Sequence, residues 1–564
     1  MKFKEFSYER PDIIGLKKDF QKLIKSLKDS ESLDAQVSLI KHINILRNEI
    51  DTVYSLSYIR HSIDTNDKFY EEEQKYFDQV MPIYEGIISD YYKVLCDSKF
   101  KVELEKEFGK QLFNIAKCHA NTFSEEIIQD LQEENRLVSE YTKVLAGAKI
   151  EFQGKVLNLA GLTPFQMDKD RKVRKEASEA KYSFFEDKEE VLDEIFDALV
   201  KVRTKIAKKL GFNNFVDLAY ARLRRMDYGP LMVKNFRDQV KKYIVPVCDS
   251  LYERQRKRLG LDSLKYYDEN FKFLSGNATP KGDPQWILER GREMYSDLSK
   301  ETKEFFDFLM DKELMDVINR DGKASGGYCT YIPNYKSPFI FSNFNGTSGD
   351  IDVLTHEAGH AFQVYLSRDY SVPEYYFPTL EACEIHSMSM EFFTWPWMEL
   401  FFKEDTEKYK YSHLSKALEF IPYGVAVDEF QHFVYENPET PKEERKKAFR
   451  DIEKKYLPHR DYDNNEFLEK GTYWYQQRHI FQSPFYYIDY TLAQICALQF
   501  FKKSLRDRER AWGEYLELCK EGGSKSFLKL LRVCHLNSPF QPGTIEKVVT
   551  KARSILDGID DSKL

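Results

Sequence analysis

His356 and His360 stand four residues apart with Glu357 between them, in the run Thr355-His356-Glu357-Ala358-Gly359-His360-Ala361-Phe362. On a helix, residues at that separation lie one turn apart on one face, so two imidazoles can hold one zinc ion. Glu357 then sits beside the ion as a base for an activated water. The bland alternative is a helical coincidence of two ordinary histidines. A catalytic zinc needs a third protein ligand and keeps its fourth position for water. One class of zinc site supplies that ligand directly after the motif, as a Gly and then a His. Gln363 and Leu366 hold those two positions here, which excludes that class. The other common source is a Glu on a following helix. Glu381, Glu384 and Glu391 fall at i, i+3 and i+10 among Ala382, Ile385, Phe392 and Phe393. Unpaired carboxylates in such apolar surroundings are costly. A metal and the groups that support its ligands would account for all three.

Two helices must position these residues. Thr347, Ser348 and Asp350 offer capping oxygens for a helix that begins near 350. Ile351, Leu354, Ala358, Ala361, Phe362 and Tyr365 recur at spacings of three and four and give that helix one buried face. Pro378-Thr379 reads as the start of the helix that carries the three glutamates. Before the motif, Gly326 to Ile332 and Phe339 to Phe344 are β-prone and separated by Pro333-Asn334-Tyr335-Lys336-Ser337-Pro338, which predicts two strands. Asp352, one turn before His356, is a candidate to accept the other N–H of that imidazole, or else it stabilises the helix N-terminus by its charge. Glu391 is a second candidate for the same bond. His386 lies about 200° round the helix from Glu384 and is structural.

At this point the chain resembles a known family. His356-Glu357-Ala358-Gly359-His360, followed by Glu384-Ile385-His386-Ser387-Met388-Ser389-Met390-Glu391, is similar to the metal site of the thimet oligopeptidase family of zinc metallopeptidases, in its oligoendopeptidase F branch, and to the Pz-peptidases of bacilli. The resemblance implies His356, His360 and Glu384 as ligands of one zinc per chain, with Glu357 as general base. The segment from His479-Ile480 through Pro484-Phe485-Tyr486 to Tyr490 resembles the His/Tyr segment that faces the zinc across a channel in that family. It implies His479, Tyr486 and Tyr490 as groups that hydrogen-bond the oxyanion. The division of labour among Tyr486, Tyr487 and Tyr490 stays open. In zinc peptidases of this kind an edge strand beside the zinc helix pairs with the substrate backbone, which supplies affinity without reading side chains.

Composition agrees with a mostly α-helical protein. The 564 residues are rich in Lys, Glu, Leu, Phe and Tyr, with only 25 Gly and 19 Pro, which disfavours a many-stranded fold. The net charge of −8 gives no basic excess for nucleic acid. The first residues lack an apolar leader segment, and no apolar run approaches a membrane span. Eight scattered cysteines without a C-x-x-C pair read as buried thiols of a cytosolic protein. The expected location is therefore the cytoplasm.

Along the chain, residues 1–150 read as an N-terminal helical lobe of long charged helices, with apolar positions at helical spacing from Asp12 to Leu16, from Leu39 to Leu46 and from Phe77 to Leu95. No chemistry shows there. Phe152-Gln153-Gly154-Lys155 predicts a short hairpin. Arg171 and Arg174 read as salt-bridging residues between lobes. Residues 151–564 form the expected catalytic region. The whole reads as a mostly α, two-lobed zincin-type peptidase with a deep channel and a small β-sheet next to the zinc helix. The expected activity is cleavage of internal bonds in short, unstructured peptides. An exopeptidase and an inactive peptide-binding scaffold are the alternatives. Sequence leaves side-chain preference and oligomeric state open.

Overall fold

The computed structural model describes residues 1–564 apart from Asp321 and Ser325, and apart from the side chains of Ile13, Ile14 and Ala160. Among the described residues helices predominate, with two small sheets between them. Among the described residues no helix is long and apolar enough to cross a membrane.

The N-terminal helices Leu33–Ile63 and Lys68–Cys96 bury Ile40, Ile43, Ile50, Phe77, Tyr84 and Tyr91 against one another. Val372 and Tyr375, from the segment ahead of the second site helix, complete this apolar cluster. The helix Ile13–Asp29 packs there too, although two apolar residues of the expected stripe, Ile13 and Ile14, lie outside the described side chains. The helix Ile128–Ala146 turns the other way. Its Leu137, Tyr141 and Leu145 belong to the large core that includes the motif helix.

The predicted hairpin is present. Strands β1 (Ile150–Phe152) and β2 (Lys155–Leu157) pair antiparallel, joined by Gln153 and Gly154, both at positive φ. Such a two-residue turn matches the twist of its strands. Arg171 and Arg174 both close on the buried Asp268, at 2.7 Å and 2.9 Å.

The second sheet stands beside the site. Its order is β3 (Met315–Ile318), β5 (Ser337–Phe344), β4 (Tyr328–Ile332). β4 and β5 are the two expected strands, paired antiparallel with Tyr328 opposite Phe341 and Ile332 opposite Ser337. β3 pairs parallel with β5 and was not expected. β5 is central and almost wholly buried, so β4 is an edge strand with no further strand beside it among the described residues, and the Ser55 hydroxyl donates to its Tyr331 carbonyl at 3.0 Å.

The motif helix Gly349–Ser367 starts where predicted, but its cap differs. The Ser348 side chain makes no capping bond; the Asp350 carboxylate instead accepts the N–H groups of Asn345 and Gly346, each at 2.8 Å. Ile351, Leu354, Ala358, Ala361 and Phe362 are fully buried, as the spacing requires. The glutamate helix Leu380–Phe393 crosses it at Gly359. A Cβ at 359 would lie 2.6 Å from Cα of Ser387 and 2.7 Å from the carbonyl oxygen of His386. Glycine is thus what lets the two helices touch backbone to backbone, and that contact brings Glu384 to the histidines.

Candidate active site

His356, His360 and Glu384 offer ligand atoms that all lie within 4.8 Å of one another. Oε2 of Glu384 is 3.2 Å from Nε2 of His356 and 3.4 Å from Nε2 of His360. Two imidazole nitrogens and a carboxylate oxygen suit a zinc ion, so the donor set fits the metal that the sequence pattern implies. The electrostatics agree. Burial alone would disfavour a charged His356, yet the carboxylates of Glu384 and Glu391 outweigh it and raise its pKa well above the usual range. For Glu384 burial is again opposed, by His360 and His356, and its carboxyl is held well below the ordinary carboxylate range. The site draws positive charge, as a proton or as a metal.

The groups behind the ligands are specific. Nδ1 of His356 is 2.7 Å from Oε1 of Glu391, and Oε2 of Glu391 is 2.8 Å from Nε2 of His413. Trp395 donates its indole N–H to Nδ1 of His413 at 3.2 Å, so the His413 proton sits on Nε2 and points at Glu391. Of the two candidates for the second N–H of His356, Glu391 takes it. Asp352 accepts the Tyr409 hydroxyl at 2.7 Å instead. Ser387 donates to Oε2 of Glu384 at 3.0 Å. Glu381, the third glutamate of the stripe, lies apart from this cluster, near Asp489 and Arg225. No single metal accounts for all three glutamates. His386 is fully buried and packs near Tyr515, as expected of a structural residue.

Glu357 is 8% exposed, and its Oε2 has no hydrogen-bond partner among the described residues. Burial raises its pKa, with partial opposition from His356 and His360. The carboxylate faces the start of β4: its Oε1 is 3.5 Å from the point a Gly327 Cβ would occupy.

The opposite wall is built by the segment around Phe485. That residue has a φ of 67°, its N–H donates to Gln431 at 2.8 Å, and its carbonyl accepts from Arg225 at 2.6 Å. The helix Tyr487–Ser504 follows, with Tyr486 immediately before its first turn. The rings of Tyr486 and Tyr490 lie 5.0 Å apart, and His479 is 5.5 Å and 5.7 Å from them. The Tyr486 hydroxyl donates to Oε1 of Glu384 at 2.7 Å. Burial pushes both tyrosines well above their usual pKa, so each hydroxyl keeps its proton. Burial also lowers His479 to about 4, a neutral ring at pH 7. Gln477 stands 2.8 Å from its Nδ1. With the Gln477 amide N–H donating there, the His479 proton resides on Nε2. Tyr487 packs on His479 with ring centroids 4.9 Å apart and also meets Phe420 and Tyr423, but it does not line the cavity that holds the histidines and glutamates.

A cavity of about 620 Å³ joins these parts. His356, Glu357, His360, Glu384, Tyr486 and Tyr490 all line it, and so does β4 from Tyr328 to Tyr331. Its far wall comes from the N-terminal helices: Arg47, Asp51 and Tyr92 face in, and Arg47 pairs with the buried Glu374 at 2.7 Å. Sequence reasoning missed this wall, because nothing in the N-terminal region carries a chemical motif. Cys329 and Cys383 also border the cavity. They are half-buried, as are Cys96 and Cys118; the remaining four cysteines are buried, and all eight are free thiols.

Comparison with known proteins agrees with this geometry. The chain matches the solved structure of Pz peptidase A with an inhibitor at 59% identity over the full length of both chains, with a TM-score of 0.97. A Bacillus anthracis protein assigned as oligoendopeptidase F matches at 56% identity, over 100% of this chain and 99% of that one, with a TM-score of 0.92. An oligoendopeptidase F homolog of Borreliella burgdorferi is 26% identical over 453 residues, 76% of this chain and 74% of the relative. The description "Peptidase M3 N-terminal domain" fits residues 3–123, and "Peptidase family M3" fits residues 165–275 and 299–549. The chain therefore belongs to peptidase family M3.

Proposed function

We propose that this protein is a zinc-dependent oligoendopeptidase that hydrolyses internal bonds of short, unstructured peptides. One observation carries the reading: the buried carboxylate of Glu357, with an unpartnered oxygen, lies beside His356, His360 and Glu384 in one cavity. His356, His360 and Glu384 would hold one zinc ion per chain. When bound, such an ion supplies Lewis acidity to the scissile carbonyl and lowers the pKa of water.

The chain's own residues supply the rest. Glu357 takes the proton of the attacking water and delivers it to the leaving nitrogen. Its burial makes it more basic than an exposed glutamate, which favours the first transfer. Tyr490 and His479, neutral and protonated on oxygen and Nε2, donate to the tetrahedral oxyanion. Tyr486 orients Glu384 through the 2.7 Å bond and is the second tyrosine within reach. The free edge of β4 pairs with the substrate backbone. Antiparallel pairing is the more stable arrangement, and the substrate then runs with its C-terminal part toward Gly327. The N-terminal helical lobe, residues 1–150, walls the channel against folded proteins, and the region 151–564 carries the chemistry.

The test is an internally quenched peptide blocked at both ends, offered to the zinc-loaded protein and to Glu357→Gln. Cleavage by the first and not the second supports the reading. An exopeptidase or an inactive scaffold would leave the blocked peptide intact.

A further inference from the structure

Tyr490 borders more than the active-site cavity. That residue also lines a second cavity of about 300 Å³, together with His479, and Lys416 and Phe420 of the second line a third of about 260 Å³. The third cavity is cationic. Lys181, Lys272, Lys416 and Arg460 face Glu269 and Glu419, four cations against two carboxylates in a chain whose net charge is −8. Both carboxylates are already engaged: Lys272 holds Glu419 at 2.8 Å, and Arg460 holds Glu269 at 2.7 Å. Lys181 and Lys416 have no ion pair among the described residues. The Lys181 amine donates to the Gln476 amide oxygen at 2.6 Å, and Lys416, from the helix Thr406–Glu436, is exposed. Burial of Lys181 without a counter-charge pushes its pKa down to about 8. An anion entering this space would find two unneutralised ammonium groups.

The direction of the substrate says which anion. Gly327, at the start of β4, lies against Val353 and Glu357, whereas Tyr331 near the strand's end reaches Arg368. β4 therefore follows the motif helix from its N-terminal half to its C-terminal end. A peptide antiparallel to β4 sends its C-terminal residues back toward the N-terminal half of the motif helix. The second cavity opens there, bordered by Asp352. The third, with its lysines, adjoins the second at Lys416 and Phe420.

We propose that Lys181 and Lys416 form the subsite for the C-terminal carboxylate of the peptide substrate, on the leaving-group side of the scissile bond. This rests on the endopeptidase reading above and adds to it a class of substrate, peptides with a free C-terminus a few residues beyond the cut. Charged hydrogen bonds of this kind discriminate strongly between a carboxylate and its amide.

The test uses two internally quenched peptides of one sequence, one ending in a free carboxylate and one in a carboxamide. The wild-type protein should favour the acid by about ten-fold in kcat/KM, carried mainly by KM, as one charged hydrogen bond of ~1.5 kcal/mol gives. In Lys181→Met/Lys416→Met the ratio should fall to about one. Lys416→Met alone, at an exposed position, should lower it part of the way and serves if the double variant folds poorly. A wild-type ratio near one, or a ratio that survives the double substitution, overturns the proposal. Calorimetric binding of the same peptides separates the two readings. If neither peptide is cut, the endopeptidase reading fails, and the subsite stands only if the acid still binds more tightly through the two lysines. Equal binding of acid and amide overturns the subsite while cleavage of both leaves the endopeptidase intact.

Discussion

Glu391 accepts a hydrogen bond from Nδ1 of His356 at 2.7 Å, which leaves Nε2 of the same ring as the atom turned toward Glu384. The same carboxylate receives His413, which receives Trp395 in turn. The orientation of one candidate ligand is therefore set by three residues that never reach the metal position. Glu391→Ala should keep the fold but weaken zinc binding 10- to 100-fold, the usual worth of such support. Competition with a chelator of known affinity measures it, and unchanged affinity would mean that the ring is held by packing alone.

Glu357→Gln preserves shape and leaves the donor set untouched. Zinc content should stay at about one equivalent, while turnover falls by at least ~10²- to 10⁴-fold. Metal analysis and peptide kinetics on one preparation check both halves. Full metal with near-normal turnover would assign proton transfer to another group.

Tyr490→Phe removes a hydroxyl and keeps the ring. Loss of an oxyanion donor should lower kcat by ~10²- to 10³-fold and leave KM nearly unchanged. Tyr486→Phe should behave differently, because its hydroxyl is bonded to Glu384. Removing that bond costs ~1–3 kcal/mol and should appear in metal affinity and stability before it appears in kcat. If both variants lose only KM, neither tyrosine serves the oxyanion.

Gly359→Ala adds one carbon where backbone atoms of the glutamate helix already stand, at 2.6 Å and 2.7 Å. Either the helices part or their backbones strain, at a cost of ~1–3 kcal/mol. The expected result is a lower melting temperature together with weaker zinc binding, since separation moves Glu384 away from His356 and His360. Normal metal affinity in a stable Gly359→Ala protein would refute the claim that this contact sets the geometry.

His119 gives a pH signature. Burial, with help from Arg224 and Arg47, lowers its pKa from 6.5 to about 4. Below pH 6.5 the unfolded chain takes up a proton that the folded chain refuses, so stability falls as pH drops from 6.5 toward 4 and is constant above. Between pH 6.5 and 5 the loss is at most ~2 kcal/mol from this one group. Denaturant midpoints of the wild type and His119→Gln at pH 7 and pH 5 measure it. The variant should lose less on acidification, and parallel losses would exclude His119 as a contributor.

The sequence carried the chemistry better than its enclosure. The His356–His360 spacing, the buried stripe of the motif helix, the hairpin turn at Gln153-Gly154 and the strands on either side of Pro333 are local signals, and each has its counterpart in the structure. Glu384 stood out from Glu381 and Glu391 only through resemblance, because helical spacing alone gives all three a common stripe. The parallel strand Met315–Ile318 and the wall made by Arg47, Asp51 and Tyr92 depend on partners distant in sequence. β3 is four residues long and too short for a periodic signal. Arg47 and Tyr92 sit in helices whose pattern is that of any charged amphipathic segment, so nothing local marks them as facing a cavity.

The far wall also sets an order of events. The Asn44 amide bonds the carbonyl of Ser371, a partner 327 residues away, and Arg47 meets Glu374 beside it. Contacts this distant carry a loop-closure cost and slow folding. On a ribosome the wall from residues 47–92 waits for the histidines, and the histidines wait for Tyr486 and Tyr490, which are synthesised more than a hundred residues after His356. A nascent chain therefore has no working cleft while it is still an unfolded peptide itself. A member of a peptidase family thus completes its cleft only once its own chain has ceased to be an unfolded peptide.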